Sequence, residues 1–574
     1  MILAAVVPAQ AADQSADARF KALYTREWAW REEQFAGEDD EDSRKPFVDH
    51  LPKVDATSQE ARLQYWTQVM RELDAIPESR LSPENQIDYE VYKPQIQTLI
   101  NDQHFHEYEK PVNSDSSFWS DLSSSYDRPL RTEQDYKNYV AWLGDFPRYF
   151  NEQIVNMRTG LKRGFTPPQV TLKGRDVSIS SVADAQGAAN PFYAPFKEML
   201  NTIPAADQAR LRAAAVKAIH DAVDPSYAKL LKFMREEYVP GAVKTLGAES
   251  FPDGKAYYRA QILEYTTLDM DPDAIHKLGV DEVAHIHAEM LETMKATGFK
   301  GDFPAFLAYL RSDPKFYAKT PQELLMRAAW IAKQFDGKAS QYFGYLPRER
   351  FAIKPVPAEI APFYTSGRGG PGVYLVNTYD LPSRPLYQLT ALTLHESAPG
   401  HAFQMPIAME HKDQPDFRQK VYISAYGEGW ALYSERLGVE MGMYDTPYDK
   451  FGMLSYQMWR ACRLVVDTGI HHLGWTREQA VAYLHDNTAL ADHEIDTEVD
   501  RYITWPGQAL SYYLGEMAIW KARHKAEQAL GSKFNLKAFH DTVLAMGSVP
   551  LPVLEKHIDK FIADGGKGPY PDME

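Results

Sequence analysis

The chain has 574 residues, 44% of them hydrophobic, and a formal net charge of −17, so it is long and apolar enough for a large core. The acidic balance argues against nucleic-acid binding, which needs basic surface to neutralise phosphate. One cysteine, Cys462, excludes an intramolecular disulfide, and no run of about 18 apolar residues is present to span a membrane.

The first residues, MILAAVVPAQAADQSADARF, read as the end of a secretory signal, with Ala9-Gln10-Ala11 as a small-x-small cleavage pattern before Ala12. No Lys or Arg precedes it, so the chain is expected to start inside its leader. A periplasmic or secreted location rests on this remnant alone; an innocuous cytoplasmic tail is the alternative. Residues 1–24 are assigned to the remnant and tail, 25–345 to an N-terminal helical lobe and 346–574 to a second lobe, the two lobes forming one continuous unit.

From about Asp17 to Phe165 the sequence is charged and aromatic, with apolar residues at helical spacing. Ser82 followed by Pro83 marks a helix start, a capping serine with proline at the first helical position. The stretch VNSDSSFWSDLSSSYDRPL is loop-like, and its Phe118, Trp119 and Tyr126 are expected to wall a cleft. A second helical stretch runs from Pro191 to about Phe343, with Thr320 and Pro321 opening another helix. No fixed-period repeat is present.

Between Ile353 and Thr378 proline, glycine and β-branched residues take over. A small antiparallel sheet is expected here, including a strand at Gly372 to Thr378 just before the helix that carries the chemistry. An edge strand in that place can hold an extended peptide by its backbone, which nominates Gly372, Tyr374 and Arg368 as substrate-binding residues. Gly367, Gly369 and Gly370 allow close backbone approach. A phosphate loop is excluded, since no Lys-Ser/Thr follows and a strand, not a helix, comes next.

The stretch LTLHESAPGHAFQ places Glu396 directly after His395, with His401 close behind. Two imidazoles and a neighbouring carboxylate are what a zinc ion and its activated water require. The spacing differs from H-E-x-x-H, because six residues of unbroken helix turn the two imidazoles about 240° apart. Both reach one metal only if the helix is interrupted. Pro399 and Gly400 sit where that interruption is needed, so a broken zinc helix is expected. His106-Glu107, His493-Glu494, His285 and His287 lack a suitably placed second histidine and read as surface or helix-packing residues.

Downstream, SAYGEGWALYSERLG offers Glu428 as a carboxylate to complete a His, His, Glu set with the fourth position open. Glu435 lies on the same helical face two turns later, able to orient a ligand or to be one. WRACRLVVDTGIHHLGW reads as a helix on which Arg463, Asp467 and His471 recur at i, i+4 and i+8, either as an exposed charged face or as a buried network lining the site. RYITWPGQALSYYLGE is expected to open a helix at Pro506 that displays Gln508, Tyr512 and Glu516 along one line.

These runs, together with YRAQILEYTTLDMDPDAIHKLGVDEVAHIHAEM and TSGRGGPGVYLVNTYD, closely resemble the bacterial family catalogued as domain of unknown function 885, over most of the chain from about Arg19 onward. That family looks like a set of zinc metallopeptidases with a largely helical fold, similar to the thimet oligopeptidase, Taq-type carboxypeptidase and angiotensin-converting enzyme group. The resemblance implies a mainly α body of two lobes around a deep cleft, one Zn2+ per chain held by His395, His401 and Glu428, and Glu396 as general base.

The expected chemistry is hydrolysis of short peptides by a metal-activated water, with Tyr512, His471 or Arg501 donating to the oxyanion. Arg368 or Arg501 would anchor a terminal carboxylate, Glu435 or Glu516 a terminal amine, and Gln508 would contact substrate. A two-His, one-carboxylate set also serves Fe(II) oxygenases, but these need no base beside the histidine, which favours zinc. A hydrolase of a non-peptide amide and an inactive helical binding protein are the competing readings. Oligomeric state and the end from which a peptide is cut are left open.

Overall fold

The computed structural model describes residues 15–37, 45–114, 116–358 and 361–570. The signal-like stretch falls on residues 1–14 and so lies outside the described residues. From Ala16 the chain is already helical, in Ala16–Gln34, which buries Phe20 and Leu23 and shortens the expected tail. The fold is mainly α, as expected, and among the described residues no helix is long and apolar enough to cross a membrane.

The chain divides into two compact units, Met1–Lys244 and Thr245–Glu574, well before the expected division at 345. The reason lies in the helix Pro272–Ala296, which packs along Pro447–His471 so closely that a Cβ on Gly279 would sit 2.7 Å from Leu464 Cβ. Its polar side chains reach two further helices of the second unit: the Tyr513 hydroxyl, on Ser511–Leu530, donates to Glu282 at 2.8 Å and Arg436, on Ser424–Glu440, to Glu289 at 2.8 Å.

The first unit is built on aromatic packing, with Trp142 against Phe146 at 4.9 Å and Phe150 against Tyr227 at 5.0 Å between ring centres. Phe118 and Trp119, expected to wall a cleft, instead lie buried in this core, and Tyr126 packs against it. The helix starts foreseen from sequence are present. Ser82 accepts from the Asn85 amide ahead of Pro83–Phe105, and Thr320 from the Glu323 amide ahead of Pro321–Asp336.

In the second unit three strands, β1 Ala352–Pro355, β2 Gly367–Gly370 and β3 Val373–Val376, form a sheet in the order β1-β3-β2. The sheet is mixed, which corrects the expected antiparallel arrangement. A two-residue turn, Pro371 and Gly372, joins β2 to β3 and forces them antiparallel; the Gly372 φ of 76° suits such a turn. The longer connection from Val356 to Ser366 carries the chain back, so that β1 pairs with β3 in parallel. β3 is therefore the central strand and has no free edge.

Candidate metal centre

The helix Leu386–Glu396 ends at Glu396 and a new helix, His401–Glu410, starts after four intervening residues, so the expected interruption is present. Gly400 serves a close approach, since a Cβ there would lie 1.8 Å from the His395 carbonyl. The loop is tied down by Trp430, whose indole N–H donates to the Pro399 carbonyl at 2.8 Å.

The reversal brings both imidazoles to one carboxylate. Glu428 Oε2 lies 3.3 Å from His395 Nε2 and 3.4 Å from His401 Nε2. On its far side His395 Nδ1 meets Glu435 Oε1 at 2.8 Å, so Glu435 is the residue that orients an imidazole. With Nδ1 on Glu435, Nε2 is the nitrogen that His395 turns toward Glu428, as His401 turns its own Nε2, and a proton or a metal cation must lie between each nitrogen and the carboxylate oxygen. Tetrahedral zinc with bonds of about 2.0–2.1 Å has ligand atoms about 3.3–3.4 Å apart, and the measured separations match that edge. The donor set thus fits zinc.

Glu396 is also close: one ligand atom each from His395, Glu396 and His401 lie within 4.8 Å of one another. Glu396 Oε2 already accepts the Gly369 amide at 2.6 Å, whereas Glu428 Oε2 faces both imidazoles at 3.3 and 3.4 Å. Gly369 can approach only because it lacks a Cβ, which would fall 1.7 Å from the Glu396 carbonyl. The pairing of Asn377 N with Ser366 O at 3.0 Å sets the alternation along β2, so the backbone groups of Gly367 and Gly369 point away from β3 toward the free edge.

Charge is distributed accordingly. Burial opposes protonation of His395, but its bonds to Glu428 and Glu435 and the charge of Glu396 outweigh this and raise it to about 10. Burial also works against the Glu428 anion, yet His401 and His395 hold that carboxyl well below its usual range. Tyr422, which sequence reasoning missed, donates its hydroxyl to Glu428 Oε1 at 3.0 Å. The residue as a whole is 44% exposed, but its hydroxyl end is packed into the cluster, where desolvation and the Glu428 charge keep its proton on. It precedes the helix Ser424–Glu440, outside any periodic pattern.

A second polar group adjoins the first through Arg460, whose Nη2 lies 3.5 Å from Glu435 Oε1 and which shares the Trp459 ring with Arg463. Arg501 Nη2 donates to Gln508 Oε1 at 2.8 Å and to the Tyr512 oxygen at 3.1 Å. Arg463 gives Nε to the Tyr502 hydroxyl and Nη2 to Glu498, both at 2.9 Å, and lies 4.2 Å over the Tyr512 ring. The expected helix start at Pro506 is corrected: Gly507, at φ 80°, breaks the path, a short 3-10 turn carries Gln508, and the α-helix begins at Ser511.

Other nominated residues do different work. His471 accepts the Ala248 amide on Nδ1 at 3.1 Å and donates Nε2–H to the Tyr502 carbonyl at 2.8 Å, so neither nitrogen is left for an oxyanion. Asp467 accepts the Tyr258 hydroxyl at 2.6 Å and the Gly507 amide, and burial pushes its carboxyl up to about 7 against those bonds. The polar stripe is buried; Asp467 and His471 fasten neighbouring segments, while Arg463 packs over the Tyr512 ring. Tyr374 is fully buried, its hydroxyl 3.4 Å from Thr393 Oγ1, and sits on the central strand; Gly372 is the turn. Neither is placed to bind substrate. Arg368 on the edge strand has an exposed side chain. Glu494, read as a surface or helix-packing residue, is the latter: it accepts the Ser366 hydroxyl at 2.9 Å in a mostly buried position.

A family model described as a bacterial protein of unknown function (DUF885) matches residues 33–558. A crystal structure of a candidate lipoprotein from Colwellia psychrerythraea is similar at 26% identity and a TM-score of 0.88, covering 96% of this chain and 100% of that one. A structure of a candidate lipoprotein of unknown function from Shewanella oneidensis aligns at 17% identity and a TM-score of 0.67, over 95% of this chain and 99% of that one, and speaks to the fold alone. No curated protein matches the chain.

Proposed function

This chain belongs to the DUF885 family of bacterial proteins, and we propose that it is a zinc-dependent peptidase acting on short peptides. The observation that carries the reading is the convergence of His395, His401 and Glu428 at the edge length of a zinc tetrahedron, with Glu435 behind one imidazole and Glu396 beside the group. When bound, zinc supplies Lewis acidity and lowers the pKa of a coordinated water from 15.7 to about 7.

The chain's own groups supply the rest. Glu396, steadied by the Gly369 amide, takes the water proton and passes it to the departing amine. The Tyr512 oxygen accepts from Arg501 and, at 3.4 Å, from Gln508 Nε2, which leaves its own proton to point elsewhere, at a developing oxyanion. Arg501 and Gln508 are then positioning residues for that phenol. Along β2, the outward backbone groups of Gly367 and Gly369 offer an extended peptide a partner close to Glu396. The Colwellia neighbour, described as a candidate lipoprotein, together with the signal-like N-terminal stretch supports an extracytoplasmic location.

The test is digestion of a defined peptide library, read by mass spectrometry, with the zinc-loaded protein and its Glu396→Gln variant. Cleavage by the first and none by the second, with zinc retained in both, is expected. Failure to cut any peptide, or full activity in the variant, contradicts the reading.

A further inference from the structure

Next to the metal cluster the chain buries guanidinium donors that nothing among the described residues accepts. Arg460 is 4% exposed; its Nε has no partner, and its nearest carboxylate oxygen, Glu435 Oε1, is 3.5 Å from Nη2. Arg463 is 1% exposed and its Nη1 is likewise unpartnered. Arg384, half-buried, spends Nη1 on Ser366 Oγ at 3.3 Å while its Nε has no acceptor.

These arginines form one group. The guanidinium carbons of Arg460 and Arg463 lie 4.2 and 4.4 Å from the Trp459 ring centre. The Glu494 carboxyl feels Arg384 and Arg460, and Glu498 feels Arg501 and Arg463. Two carboxylates therefore face four arginines, Glu435 being committed to His395. The group meets the metal cluster through Arg460 and Glu435. Its open side is toward Arg384 and Arg501, the latter 15% exposed.

We propose that this arginine group receives a carboxylate of the substrate, so that the site prefers peptides carrying a free carboxylate, either the C-terminal one or an acidic side chain. The planar guanidinium fork matches a carboxylate's two oxygens, and a buried donor without an acceptor is the kind of group a ligand of that chemistry satisfies. The inference rests on the peptidase reading for the ligand being a peptide.

The experiment is calorimetric titration of the zinc-loaded Glu396→Gln protein with three probes: acetyl-Ala-Ala-Phe as the free acid, the same peptide as its C-terminal amide, and acetyl-Ala-Ala-Glu amide. A carboxylate-bearing probe should bind roughly 10- to 100-fold tighter than the neutral amide, the gain of a charge-assisted contact. Preference for the free acid assigns the C-terminus; preference for the Glu amide assigns the side chain. Adding Arg384→Gln, on the open side of the group, should erase most of the difference. Equal binding of charged and neutral probes, no binding of any probe, or a preference that Arg384→Gln leaves intact overturns the proposal. Acid-selective binding with no peptide cut by the unsubstituted protein keeps the carboxylate site and removes the peptidase reading. Cleavage with no charge preference does the reverse.

Discussion

Glu27 in the first unit and Glu428 in the second are both carboxylates held inside the protein, and their surroundings differ in kind. Glu27 accepts two bonds from Arg31 at 2.8 Å, one from the Trp66 indole at 3.0 Å and one from the Tyr92 hydroxyl at 2.9 Å. Every lone pair is answered. Glu428 receives the Tyr422 hydroxyl, but its other oxygen is shared by two imidazole nitrogens at 3.3 and 3.4 Å, longer than any of the Glu27 contacts and equal to the ligand-ligand edge around a zinc ion. Burial of charge therefore does not by itself distinguish the two. The long, shared contacts of Glu428 do.

The contrast makes the largest effect fall in the first unit. Glu27→Ala strands Arg31 and should cost about 3–5 kcal/mol of stability in denaturant unfolding, while zinc content stays unchanged; a loss of zinc would erase the distinction between the two carboxylates. Within β2, Gly369→Ala should lower kcat/KM about 100-fold by pushing the strand from Glu396. Gly370→Ala, where a Cβ meets nothing within 4 Å, should leave it unaltered. Equal effects at both glycines would show that the contact with Glu396 does not matter.

Glu435→Gln should weaken zinc binding by roughly 10- to 100-fold in a competition titration, the usual consequence of loosening the partner of a metal-bound imidazole. The smallest effect concerns Glu516, which burial and the charge of Glu435 raise from 4.5 to about 8 although Arg436 pulls the other way. Between those pH values the unfolded chain has lost this proton and the folded protein keeps it, so stability falls as pH rises through the window. Glu516→Gln should flatten that slope, narrowing the gap in Tm between pH 5 and pH 8. An unchanged gap would assign the slope elsewhere.

The side chains that converge were legible as residue types at constrained places: His395 and Glu396 adjacent, His401 beyond a proline, Glu428 and Glu435 on one helical face. The helical class and the starts at Ser82 and Thr320 followed from apolar spacing and capping. β2 was not legible, since Gly367, Arg368, Gly369 and Gly370 carry almost no side-chain pattern and the strand is defined by what its backbone approaches. His471 and Asp467 show another limit: a polar stripe announces that something polar is faced, not whether it is a metal site or a neighbouring helix. Tyr422 and Arg460 gain their places from tertiary packing, which no local spacing records.

The most direct test of the account is metal analysis of the purified protein beside its Glu428→Ala variant, by mass spectrometry of the intact ion content after dialysis. One zinc per chain in the unsubstituted protein and a substoichiometric trace in Glu428→Ala is the predicted result. Absence of metal from the unsubstituted protein, iron in place of zinc, or full zinc retention without Glu428 would contradict it.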